Sequence, residues 1–119
     1  MTVEEKELLL IDLSARLPYG TFIREYHSNG KIKRKKIMLD ANAYAWFKNG
    51  VKVKPYLRPM SSMTDEEKSM YIKLKAHAAP FAIVDWLNKN HFDHRTNLEG
   101  EHLIEIGLAL KAPEEMYKS

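Results

Sequence analysis

The chain contains no cysteine, which excludes disulfide scaffolds, thiolate zinc sites and cysteine nucleophiles and fits a reducing compartment. It has no long apolar run either. A run such as Leu8 to Ile11 is far short of the roughly 20 residues of a spanning helix, so no membrane association is expected. Met1-Thr2-Val3-Glu4-Glu5 is acidic where a signal peptide is basic, which predicts a cytoplasmic protein. Gly-rich phosphate loops, nucleophile elbows, His-Glu-x-x-His helices and calcium loops are all missing, and the serines stand in no catalytic motif. Repeats, low-complexity tracts and linkers are missing too, so the 119 residues are expected to form one domain.

Negative charge is scarce in the middle of the chain. Residues 21–60 hold ten Lys/Arg against Glu25 and Asp40, a balance of +8, while residues 1–20 sum to −2 and residues 61–119 to −3. Such a block attracts phosphate or an acidic partner, or else keeps exposed strand edges soluble and unpaired.

The patterning predicts an α+β fold: a four-stranded antiparallel meander packed against an N-terminal helix and two to three C-terminal helices. Thr2 with Glu5 has capping-box spacing, and Leu9, Leu10, Leu13 and Leu17 follow at intervals of three and four, giving a helix over 3–17 that Pro18 ends. The basic meander spans 21–57. Asn29-Gly30 and Asn49-Gly50 favour two-residue type I′ hairpins, and Asp40-Ala41-Asn42 reads as the turn joining them. In the first hairpin Phe22 faces Ile37 and Glu25 faces Arg34, with Arg24, Tyr26, Lys33 and Lys35 on one side of the tip. In the second, Tyr44, Trp46, Val51 and Val53 share the core face and Phe47 points away. Ile32 and Ile37 have opposite parity, which implies a bulge or, preferably, a strand leaving the core as an arm.

Pro55 and Pro59 make residues 54–64 a hinge through which neither a helix nor a central strand runs. The helical half, 65–108, begins at a second capping box, Thr64 with Glu67, which is preferred over reading Ser61 to Glu67 as an acidophilic phosphorylation site. Its first helix carries a stripe of Met70, Tyr71, Leu74 and Ala78. Pro80 opens the next, with Phe81, Val84, Leu87 and His91 inward and Ile83 and Trp86 widening the face. A short last helix through Leu103 and Ile104 ends at Gly107, and the tail over 113–119 is expected to fray.

The words Ala15-Arg16-Leu17-Pro18-Tyr19-Gly20, Lys54 to Met63, Asp85-Trp86-Leu87-Asn88 with His91-Phe92-Asp93, and Gly107-Leu108-Ala109-Leu110 resemble a family of small uncharacterised proteins from genomes and prophage-like elements of gut anaerobic bacteria. That resemblance implies a phage or mobile-element setting and brings no assigned activity and no site residue. The stretch Thr96 to His102 departs from the family pattern as an insertion, and the basic arm is richer in lysine.

His91, Asp93, His94 and His102 are metal-capable, but their spacing matches no zinc pattern, so no metal and no cofactor is expected. Arg24, Lys33 and Lys35 beside Tyr26 would track a phosphate backbone while the ring stacks on a base. The function expected is that of a non-enzymatic accessory protein binding another macromolecule, a protein ahead of a nucleic acid. A nucleic-acid-binding module using Arg24, Tyr26, Lys33 and Lys35 comes second, and an enzyme with an unrecognised site third.

Overall fold

In a computed structural model, which describes residues 1–118, Thr2 caps helix α1 (Val3–Arg16) with a full capping box. Its hydroxyl accepts from Glu5 N–H at 3.0 Å, and the Glu5 carboxylate accepts from Thr2 N–H at 2.8 Å. Pro18 converts the end of the helix into one 3₁₀ turn, Leu17–Tyr19, and Gly20 at φ 68° redirects the chain into the sheet.

Strands β1 (Phe22–Tyr26) and β2 (Ile32–Met38) form the first hairpin. Glu25 faces Arg34 as expected, but at the base Phe22 faces Met38 and Ile23 faces Ile37. The register slips on both sides of Glu25, each slip adding one β2 residue, so the broken alternation of Ile32 and Ile37 comes from two bulges and not from a detached arm. The turn is a three-residue loop, closed by His27 N–H to Lys31 O at 2.8 Å, with Gly30 at φ 87°. The two-residue I′ turn is not formed.

The second expected hairpin is absent, because residues 41–48 are helix α2 (Ala41–Lys48). Asp40 is its N-cap, accepting from Ala43 N–H at 2.8 Å, and the alanines at 41, 43 and 45 supply helix propensity that outweighs the β-preference of Tyr44, Trp46 and Phe47. Asn49-Gly50 is a Schellman cap: Gly50 N–H reaches Phe47 O at 3.0 Å and Val51 N–H reaches Trp46 O at 2.9 Å, with Gly50 at φ 104°. Of the expected face, Val53 is buried in the core and Tyr44, Trp46 and Val51 pack against it only partly buried. Phe47 is buried beside Ala43, and Trp46 is only half-buried against the Arg34 guanidinium, 5.0 Å above its ring.

The expected hinge is the centre of the sheet. Strand β3 (Val53–Pro59) runs through both prolines, with β1 antiparallel beside it. Tyr26 N–H donates to Lys52 O at 2.9 Å, so by alternation the Ile23–Pro55 pair is a non-hydrogen-bonded one, and the missing Pro55 N–H costs the ladder nothing on that side. After a 3₁₀ turn at Met60–Ser62 come α3 (Asp65–His77), with its Thr64 capping box, and α4 (Pro80–Lys89). α3 buries no residue fully. In α4 the inward side is Ile83, Trp86 and Leu87, while Phe81 and Val84 are exposed, contrary to the expected stripe. Strands β4 (Phe92–Asp93) and β5 (Leu110–Lys111) both add parallel to β3, making the five-stranded sheet mixed and not a meander. Residues 103–107 form turns and not a helix, although Gly107 at φ 79° closes them.

The tail is docked as far as it is described; Ser119 lies outside the described residues. Tyr117 stacks on His91 and Phe22, and its hydroxyl accepts from Phe22 N–H at 2.9 Å and donates to Tyr56 O at 2.7 Å. The main core lies between α1, α2 and the sheet around Leu9, Leu13, Ile23, Phe47, Val53, Leu57 and Leu103, with a second cluster of Met63, Leu87 and Phe92. Among the described residues no helix is long and apolar enough to cross a membrane. Replacing Phe47 by alanine is expected to cost about 3 to 5 kcal/mol in urea denaturation, as a large-to-small core change. Trp46→Ala is expected to cost less, and the reverse order would reinstate the strand register for residues 41–48.

Candidate functional site

Side chains alternate along β1 and β3, so Ile23, Glu25, Val53 and Leu57 face the core, and Phe22, Arg24, Tyr26, Lys54 and Tyr56 face the other way. On this second face cations lie over rings. Lys36 Nζ is 4.6 Å from the centre of Phe22, the Arg24 guanidinium 5.5 Å from Tyr56, and Lys52 and Lys54 5.6 and 5.7 Å from Tyr26. Glu25, the one acid of β1, is buried on the core side with Arg34 at 2.7 Å and Lys33 at 3.5 Å. Among the described residues none of Arg24, Lys35, Lys36, Lys52, Lys54 and Lys111 forms an ion pair with a carboxylate. Burial, then the charges of Lys52 and Arg24, hold the Lys54 ammonium below its ordinary pKa. The face therefore carries like charges that repel each other.

Arg24 is the most firmly held of these cations. Its Nε donates to the Tyr56 hydroxyl at 3.1 Å, and that hydroxyl donates to Lys35 O at 2.7 Å. The relay anchors the guanidinium to the backbone of β2, and the hydroxyls of Tyr56 and Tyr26, not a carboxylate, are its side-chain partners among the described residues. A planar guanidinium fork without a carboxylate partner matches carboxylate or phosphate oxygens.

Of the four residues singled out in the sequence, Arg24 and Tyr26 lie on this face and Lys35 borders it. Lys33 falls at a bulge and turns its ammonium to Glu25. Sequence reasoning missed Lys36, Lys52, Lys54 and Tyr56. Residues 52, 54 and 56 carry the alternation of one strand face, a signal hidden by treating Pro55 and Pro59 as strand breakers.

The metal-capable residues are dispersed among protein partners. His91 Nδ1 lies 3.1 Å from Thr21 Oγ1, and His94 Nε2 lies 2.7 Å from Asn88 Oδ1. The Asp93 carboxylate accepts from Leu103 N–H at 3.2 Å and Ile104 N–H at 2.9 Å, and His102 Nδ1 lies 3.2 Å from Arg95 O. Among the described residues no three His, Asp or Glu side chains converge on one point. A cleft of about 700 Å³ between the end of β3, the start of α3 and the C-terminal segment contains Arg58, but Glu67 already takes its guanidinium in two hydrogen bonds of 2.6 and 2.7 Å. No protein-family model matches the chain, and neither does a curated protein or a solved structure.

Burial, then Arg16 and Arg58, push the His91 imidazole down to about 4, and burial, then Arg95 and Arg16, bring His94 to about 4. Both values lie below the roughly 6.5 of an unfolded histidine, so the unfolded chain binds more protons between these limits. Their stabilisation is complete above pH ~6.5 and lost as pH falls towards 4. Asp93, whose carboxyl burial pushes up, works in the opposite sense at the acid end. The urea midpoint is expected to fall steadily from pH 7 to about pH 4.5, and by less in His94→Gln; a flat profile would mean that the imidazoles are solvated.

Proposed function

We propose that this protein is a non-enzymatic binding protein that holds single-stranded nucleic acid along the face of Arg24, Tyr26, Lys36, Lys52 and Lys54, without a cofactor. The observation that carries this reading is the set of cations free of carboxylate partners on that face, headed by the anchored guanidinium fork of Arg24. Phosphodiesters offset the like charges of Arg24, Lys52 and Lys54, and their bound counterions return to solution. Tyr26 and Phe22 already lie under lysine ammonium groups, so contacts to the backbone outweigh base stacking and recognition tolerates sequence. Three neighbouring strands are only about 10 Å across, which suits one strand of nucleic acid better than a duplex.

A protein partner has the open outer edge of β2 in its favour, since an acidic extended peptide can pair with it. Two bulges interrupt that edge, which supports the phosphate reading over the peptide one. An accessory role in a phage or mobile element rests on the resemblance of those sequence words to the gut-anaerobe family alone.

The test is the salt dependence of binding to a mixed-sequence oligonucleotide with hydroxyl ends. Each phosphate contact in a single strand contributes a slope of about −0.7 in log affinity against log salt. Replacing Arg24, Lys36, Lys52 and Lys54 by glutamine together is expected to weaken binding and flatten the slope by about three, with the fold retained. If the unaltered protein shows no salt-sensitive binding at low ionic strength, the nucleic-acid reading falls and the face becomes a dock for an acidic protein.

A further inference from the structure

The cationic face stops at the Phe22 end of β1. There the C-terminal segment crosses it, with the Tyr117 ring stacked 5.8 Å from Phe22. Between this segment and the sheet lies a cleft of about 430 Å³. Arg24, Lys35, Lys36 and Lys111 give it four cations, Leu110, Pro113 and Met116 form an apolar wall, and among the described residues no carboxylate lines it.

We infer that this cleft receives the phosphate-bearing terminal nucleotide of the single strand laid along the face, an inference that rests on the nucleic-acid reading above. Three features point to an end and not to the middle of a strand. The wall of Pro113 and Met116 blocks continuation beyond the cleft, whereas the rest of the face, from Arg24 to Tyr26, is lined by exposed or half-buried side chains. The charge is also densest here, and a terminal phosphomonoester carries about −1.5 to −2 at neutral pH, more than the single charge of a diester. The Arg24 guanidinium, which has no carboxylate partner among the described residues, offers donors to its oxygens, with the lysines as point charges around them. The cleft's size and apolar wall match what one nucleotide needs, a surface for the base beside a few placed charges.

The experiment measures fluorescence anisotropy of the full chain with one oligonucleotide in three forms: 5′-phosphate, 3′-phosphate, and hydroxyl at both ends. One phosphorylated form is expected to bind about tenfold tighter than the hydroxyl form. Lys111→Gln is expected to remove most of that advantage, weakening the phosphorylated form several-fold more than the hydroxyl form. Equal binding of all three forms, with the salt slope intact, overturns the inference and leaves the nucleic-acid reading standing. Absence of binding by every form overturns both. A nucleoside monophosphate that competes as well as the phosphorylated oligonucleotide also overturns it, because the cleft would then hold free nucleotide and not a strand end.

Discussion

The backbone N–H and C=O groups of β3 must be paired on two edges, and no single neighbour pairs them all. Residues 52–55 face β1, Arg58 N–H donates to His91 O at 2.8 Å on the same edge, and on the other edge Leu57 O accepts from Ala112 N–H at 2.8 Å. Between β1 and β4 the ladder would leave Phe22 N–H and Tyr56 O too far apart to bond directly. The Tyr117 hydroxyl fills that gap, accepting from one and donating to the other. A buried, unpaired backbone group costs about 1 to 3 kcal/mol, so one side chain from the end of the chain completes a sheet begun 95 residues earlier. Burial raises the Tyr117 hydroxyl to about 12, so it remains a donor throughout the physiological range.

A second constraint ties α1 to the helical half. Asp12 and Arg16 are wholly buried and bonded at 2.8 Å; Arg16 also donates to Phe92 O at 2.6 Å, and Arg95 donates to the other Asp12 oxygen at 2.8 Å. Two guanidinium groups thus share one carboxylate, with Asn88 Oδ1 bridging Arg95 and His94. Such a cluster adds little over an apolar replacement, yet removing one member leaves an uncompensated buried charge at about 3 to 5 kcal/mol. Its effect is specificity. It sets how α1, α4 and the segment after β4 meet, and its positive excess helps keep His91 and His94 neutral.

Where local chemistry decides, the sequence was legible. The capping boxes at Thr2 and Thr64 and the stop at Pro18 are all short-range effects, whereas Glu25 meets Arg34 through a three-residue loop and a bulge and not through the expected I′ turn. Residues 41–48 were misread because three aromatics between turn-like flanks imitate a strand, while the alanines between them and the Asp40 cap favour a helix. Asn-Gly supports either a hairpin turn or a helix end, since both place glycine at positive φ, and only the state of the preceding residues separates the two. Pro55 misled for a different reason. Whether a strand tolerates proline depends on which edge its nitrogen faces, a tertiary fact. Arg24 and Tyr26 could be found from hairpin parity, but Lys36, Lys52 and Lys54 could not until the bulges and β3 were in place.

The same packing that fixes the core leaves the cationic face open. Both helices of the N-terminal half pack on the side of Ile23, Val53 and Leu57, and Glu25 spends its charge there on Lys33 and Arg34. Counter-charge is thus removed from the opposite side by burying the one acid of β1, not by an absence of acids from the chain. Cations over Phe22, Tyr26 and Tyr56 keep their stems on apolar surface and their charges at the solvent boundary, a compromise that holds them close despite repulsion. Tyr56 joins the two halves of the arrangement. Its carbonyl receives the Tyr117 hydroxyl that completes the sheet, and its own hydroxyl holds Arg24, so the element that closes the fold also orients the most rigid cation of the open face.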